Sequence, residues 1–304
     1  MKQTIEKLAQ EQYPYVIELR RHFHANPEPS MLETHTQQKI ISELTSLGLN
    51  PRTIAGTGVI ADIEGIGPGP VIVLRADMDA LQITDELDRP YRSKTPGLCH
   101  ACGHDAHMAM LLGTAHLLYL LRDQFEGTVR LLFQPGEEKL PGGAAAVLAE
   151  GGLNGASAII GAHLWQPLPI GVTGLSAGSL AAAYDEFEIN IQGHGGHSAM
   201  PQQTIDPVFI ACQLVTILQS VIGRTVDPHE AAVLTVSSIQ AGESVNVIPS
   251  QAVLRGTLHA ANEKIRQELA EQVRRIASGL TKSLGASCTV EIKQGVPHLV
   301  NHPA

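Results

Sequence analysis

Apolar residues recur along this chain with two alternating periods. Ile5, Leu8, Ala9, Val16 and Leu19 fall at near-helical spacing, and residues 34–47 do likewise, with Gly48 as a helix stop. Residues 58–63 and 71–74 read as strands, separated by the turn-rich Gly65-Ile66-Gly67-Pro68-Gly69-Pro70. Residues 108–121 predict a helix, 129–133 a strand, 144–150 a short helix and 158–161 a buried strand. Strands alternating with helices imply a mostly parallel sheet with helices on both faces. From about Glu186 the pattern changes to strand (187–192), helix (207–222), strand (232–240), strand (252–259), helix (262–284) and strand (287–293). That order is βαββαβ, the ferredoxin-like arrangement. The expected fold is therefore α/β: a mostly parallel-sheet domain over residues 1–185, then an α+β domain over 186–296, which is inserted into the first if residues 297–304 lead back to it. Residues 297–304 would begin a return to the first domain.

Composition narrows the class. At 304 residues the chain has room for about two domains. A net charge of −9 with no Lys/Arg-rich run argues against a nucleic-acid or anionic-membrane partner. The N-terminus is charged and lacks the apolar core of a signal peptide, and no uninterrupted apolar run approaches the ~18 residues of a membrane helix. Four cysteines are too few for a disulfide scaffold, which fits a reducing cytoplasm where a thiolate ligand survives.

The chemistry gathers at strand ends. The run 71–76 enters Asp77-Met78-Asp79, the run 128–134 enters Pro135-Gly136-Glu137-Glu138, and the run 157–162 enters His163. Between the first two lies His100-Ala101-Cys102-Gly103-His104-Asp105-Ala106-His107, opening an apolar helical stretch. Ligands of open α/β sheets bind beyond the carboxyl ends of strands, and thiolate, imidazole and carboxylate groups there suit a hydrolytic metal site. Cys102 and His104, two residues apart at a helix start, can face one cavity, although a buried cysteine is also a common core residue. Of the adjacent Glu137 and Glu138, one can bind metal while the other takes a proton from water; a solvated acidic turn is the plainer reading. Asp77 or Asp79 can accept a hydrogen bond from a ligand histidine, or cap the following turn, or pair with Arg75. Cys99-His100-Ala101-Cys102 also spells a C-x-x-C, but no second ligand pair stands at matching spacing for a zinc knuckle. Gly174-Leu175-Ser176-Ala177-Gly178 matches the G-x-S-x-G of serine esterases, without the strand before and helix after that the elbow requires. The Gly-rich Gly193-His194-Gly195-Gly196-His197 has no P-loop lysine and reads as a substrate-facing loop or a surface turn.

Together these residues resemble the metal-dependent amidohydrolases of the aminoacylase and carboxypeptidase kind, including hippurate hydrolases and plant hydrolases of indole-acetyl amino acids. Arg75-Ala76-Asp77-Met78-Asp79-Ala80-Leu81, residues 100–107, Phe133-Gln134-Pro135-Gly136-Glu137-Glu138, Gly161-Ala162-His163 and Gly196-His197-Ser198 match that pattern in order and spacing. The resemblance implies that Cys102, His104, Glu138 and His163 bind two divalent metal ions. Manganese or zinc is expected, with cobalt and nickel also compatible with the donor set. It implies that Glu137 is the general base and that Asp79 supports the site from behind. It makes the inserted domain a lid and dimerisation domain, with His197 and Asn246 near the substrate. The implied substrate is a small N-acyl amino acid, and the implied assembly is a homodimer through the lid. Family members continue past the lid and return to the catalytic sheet with one more metal-binding histidine; neither His298 nor His302 stands in the matching context. The 304 residues alone are accordingly expected to be metal-deficient and weakly active. The rival reading is a non-catalytic, dimerising fragment of such an enzyme.

Overall fold

The structure, a computed structural model, describes residues 2–303 and divides into two compact units, one up to Val172 and one from Thr173. The first unit contains α1 (Lys2–Ala25), α2 (Thr34–Ser46), β1 (Arg52–Ile54), β2 (Gly58–Glu64), β3 (Val71–Asp77), α3 (His104–Leu120), β4 (Thr128–Gln134), α4 (Gly143–Ala149) and β5 (Ala156–Gly161). Its strands form one sheet in the order β1-β2-β4-β3-β5. β4, β3 and β5 are parallel, and β2 and β1 run antiparallel beside them. The six residues between β2 and β3 are too short for a parallel crossover, which needs a dozen or more. β2 therefore runs opposite to β3, and β4 inserts between them.

Helices cover both faces. Leu19, Phe23, Ile40, Leu44, Met108 and Leu112 from α1, α2 and α3 pack against Val59, Ala61, Ile63, Leu131 and Phe133. On the opposite face Val147 of α4 joins Ile60, Val73 and Leu132. α3 is apolar on nearly every side and begins at His104, ahead of the start predicted at residue 108, because its polar first turn is itself buried. Against its reading as a buried strand, the run 158–161 forms β5, which among the described residues pairs with β3 and leaves Ile159 and Ile160 51% and 56% exposed.

The second unit contains β6 (Gly178–Ala181), β7 (Ala183–Gln192), β8 (Gly196–His197), α5 (Pro207–Thr225), β9 (Ala232–Gln240), β10 (Val247–Ile248), β11 (Gln251–Ala260), α6 (Glu263–Ser283), β12 (Ser287–Gln294) and β13 (Leu299–Asn301). Four of these strands make an antiparallel sheet, β12-β7-β11-β9, which with α5 and α6 reproduces the βαββαβ order. β10 pairs with β8, and β13 with β6, as separate two-stranded ribbons. Asp206 caps α5 by accepting from Val208 N and Phe209 N with Pro207 at the first helical position, and Asn262 caps α6 at Ile265 N. α5 has the length and composition to cross a membrane. Here it packs Ile210, Leu214, Leu218 and Val221 against the sheet residues Ile189, Leu254 and Leu258, alongside Leu269 and Val273 of α6.

Candidate metal centre

The parallel strands end level with one another: Asp77 stands opposite Gln134, and Arg75 opposite Gly161. Beyond these ends the ring of His104, fully buried, is surrounded by carboxylates. Its Nδ1 lies 3.4 Å from Asp79 Oδ1, and its Nε2 lies 3.6 Å from Asp77 Oδ2, 3.7 Å from Glu138 Oε1 and 3.9 Å from Glu137 Oε2. None of these contacts is aligned as a hydrogen bond, so both ring nitrogens of His104, like Glu138 Oε1, are buried without a hydrogen-bond partner. Buried polar atoms are rarely left so. Burial works against charge on the His104 ring, yet Asp79, Cys102 and Asp77 around it lift its pKa to about 11. The surroundings thus favour positive charge in the pocket, and its thiol, imidazole and carboxylate donors are those that bind divalent transition metals. The residues present fit a metal.

Two groups of donors share His104: Cys102, His104 and His163, and His104, Glu137 and Glu138. Cys102 Sγ lies 3.3 Å from His163 Nε2, and contact with His104 and His163 draws the thiol below its ordinary pKa. His163 Nδ1 donates to Leu164 O at 2.6 Å, which leaves Nε2 as the donor atom facing Cys102. Its pKa rises to about 8, chiefly through that contact with Cys102. Gly103 sits between Cys102 and His104 at φ +89, with room for little else: a Cβ there would lie 3.1 Å from Leu164 Cδ1. Only glycine holds that conformation without strain.

A third grouping, Asp77, His104 and His107, is as closely gathered but has its outer members' donor atoms engaged elsewhere. His107 Nδ1 donates to Asp77 Oδ1 at 2.6 Å, while Leu164 N donates to His107 Nε2 at 2.9 Å. Arg75 Nη1 holds Asp77 Oδ2 at 2.7 Å. Burial opposes charge on Asp77, but His107 and Arg75 keep its carboxyl well below the usual carboxylate range. This chain of contacts ties α3 to the residue after His163. Asp79 serves the other side. Its Oδ1 accepts from Glu137 N at 3.0 Å, and its Oδ2 accepts from Glu138 N at 2.9 Å and from Ser30 Oγ at 2.5 Å. Against the cost of burial, those donors and His104 bring its pKa to about 2. Glu137, with a side chain 42% exposed, is pushed the other way, upward, by partial desolvation and by Glu138.

The structure therefore brings together Cys102, His104, Glu137, Glu138, His163 and Asp79 within the first unit. His197 and Asn246 meet in the second: His197 pairs with Val247 across the β8–β10 ribbon, and Ser198 N donates to Asn246 O at 3.1 Å. Sequence reasoning missed His107 and Ser30 as supports, since nothing in the run 100–107 distinguishes a histidine with free nitrogens from one with both engaged. Cys99 and Cys102 are both free thiols, Cys99 buried beside His24 and Asp85, so the C-x-x-C serves two different surroundings. Ser176 lies in a loop leading into β6, with no strand before it or helix after it, and its hydroxyl donates to Ala177 O at 3.3 Å. The nucleophile-elbow reading is thereby excluded.

Comparison with known proteins agrees with this geometry. Residues 73–284 match the family model "Peptidase family M20/M25/M40". An N-acyl-L-amino acid amidohydrolase of Geobacillus stearothermophilus is 43% identical over 302 residues, covering 99% of this chain and 82% of the relative. An N-acetylcysteine deacetylase of Bacillus subtilis is 42% identical over 288 residues, covering 94% and 76% respectively. The crystal structure of the Bacillus subtilis YXEP protein, a dinuclear metal binding peptidase from the M20 family, superposes with a TM-score of 0.81 at 39% identity, covering 97% of this chain and 77% of that one. A mixed α/β hydrolase with candidate metal-ligand groups at its strand ends is the class that the fold and site define. The chain belongs to peptidase family M20/M25/M40.

Proposed function

We propose that this chain hydrolyses the amide bond of N-acyl amino acids, with Cys102, His104, Glu138 and His163 holding two divalent ions, manganese or zinc. The observation that carries the reading is the buried, unpartnered His104 ring and Glu138 Oε1 beside a half-exposed Glu137 of raised pKa. When bound, such ions supply Lewis acidity toward the acyl oxygen and toward water. Glu137 accepts the proton of the attacking water and returns it to the leaving amine; its upward shift brings it nearer the working pH of a general base. Asp79 keeps Glu137 and Glu138 on a fixed backbone, and His107 does the same for the loop of His163. His197 Nδ1 accepts from Ala199 N at 3.1 Å, so the neutral ring carries its proton on Nε2 and can donate to a substrate carbonyl, with Asn246 nearby. The second unit serves as the lid and dimerisation domain. Its sheet ends in the edge strands β9 and β12, open to pairing with a second copy. A low-pKa thiol ligand suits a reducing, cytoplasmic setting.

The test is hydrolysis of an acyl-amino acid such as hippurate, before and after EDTA, in wild type and Glu137→Gln. EDTA should abolish turnover. The Gln variant should keep its metal and lose ~10²–10⁴-fold in kcat. An unchanged kcat in that variant removes Glu137 from the mechanism, and EDTA-resistant turnover removes the metals.

A further inference from the structure

The turn that presents Glu137 and Glu138 is anchored through three consecutive backbone N–H groups. Two go to Asp79, as described; the third, Gly136 N, donates to Glu33 Oε1 at 2.8 Å. Glu33 stands immediately before α2, where a side chain ordinarily caps its own helix. It makes no such bond. The first turn of α2 is served instead by Glu28, whose Oε1 accepts from His35 N at 3.1 Å and whose Oε2 accepts from Thr36 N at 2.8 Å.

Glu33 points inward and is completely buried. Its Oε1 also accepts from Met31 N at 2.9 Å, and the Thr57 hydroxyl donates to its Oε2. Among the described residues, no lysine, arginine or histidine forms an ion pair with it. A carboxylate is thus taken out of water on neutral donors alone, an arrangement that is costly unless those bonds are kept. Gly136 itself is at φ +56, and a Cβ there would come within 2.5 Å of Met31 Sδ, so the loop before α2 is packed onto the turn.

We infer that Glu33 is a positioning residue for Glu137 and Glu138. By fixing Gly136 N–H it sets the direction in which the two following carboxylates leave the backbone, while Asp79 fixes their own N–H groups. Without Glu33 the turn pivots about Asp79, and Glu138 loses its aim toward the cation pocket. The inference rests on the roles proposed above for Glu137 and Glu138.

The experiment compares Glu33→Ala, Glu33→Asp and Glu33→Gln in the full-length protein. The readouts are Co2+ titration followed by its visible absorption spectrum, far-UV circular dichroism, and kcat and KM on hippurate. The Asp variant keeps the charge but retracts it by one methylene. Asp and Ala variants should bind Co2+ ~10–100-fold more weakly, with a changed spectrum and a similar fall in kcat at little-changed KM, as for other groups that orient metal ligands. The Gln variant should stay close to wild type, because its carbonyl oxygen accepts both N–H groups while its amide donates to Thr57. If the Ala variant does not fold, the Asp variant decides. Wild-type Co2+ affinity, spectrum and kcat in a folded Asp variant overturn the inference. So does a Gln variant that falls as far as Ala, since charge rather than the bond to Gly136 would then be what matters. Glu137→Gln, run in parallel, separates the two ideas. If it retains full kcat, the role of Glu137 fails on its own, while the Co2+ spectra still report whether Glu33 aims Glu138.

Discussion

Cys102 and Cys99 have thiols in opposite electrostatic settings. Two histidines draw the Cys102 thiol toward its anion, whereas burial near Asp85 and Asp105 pushes the Cys99 thiol up. Only Cys102 is therefore placed to offer a thiolate, and a thiolate is a soft donor. Replacing Cys102 by Ser should weaken zinc binding much more than manganese binding, read by competitive metal titration. Equal loss for both ions would show that the sulfur is not a ligand. At this scale the sequence was informative where donor types crowd a short stretch, as in residues 100–107 and at Glu137-Glu138. It was silent where one carboxylate acts at a distance. Glu33 is an ordinary loop residue until the fold brings residue 136 to it.

Elements with a strong period were legible to within a few residues. α5, α6 and β9 stand where their apolar spacing puts them, because each buries one continuous face. Very short elements were less so: β1 and β10, three and two residues long, carry no period to read. The ends of β7, α6 and β12 show what joins elements once formed. Arg266 of α6 donates from Nε and Nη2 to Asp185 of β7 at 2.9 and 2.5 Å, and Gly295 N, just past β12, donates to Asp185 Oδ1 at 2.9 Å. Breaking such a buried pair by removing one partner costs ~3–5 kcal/mol. Asp185→Ala should lose about that much in urea unfolding of the second unit at neutral pH. Burial alone would raise the Asp185 pKa, but Arg266 and Gly295 N lower it. A depressed folded-state pKa means the contribution is complete above the unfolded value, ~3.9, and fades as pH falls through the folded value. Wild type and variant should therefore converge in acid. A gap that persists there would show that the loss is one of packing rather than of charge.

Across the whole molecule, alternation of strands and helices announced an α/β part followed by an α+β part. The physical division falls after Val172, earlier than the change of pattern at residue 186. The reason is that β6 is only four residues long and finds its partner, β13, more than a hundred residues later. Neither a short strand nor a remote pairing leaves a period to read.

The bond from Leu164 N to His107 Nε2 has a consequence for how the first unit breathes. It makes the backbone amide next to His163 a reporter of α3, because that N–H exchanges with solvent when the imidazole lets go of it. Amide hydrogen exchange at Leu164 should therefore be slow, and His107→Ala should speed it while leaving the amides of β4 unchanged. Equal exchange at Leu164 in the two proteins would show that the bond does not hold the loop in solution. Where the bond holds, loop and helix open and close as one piece.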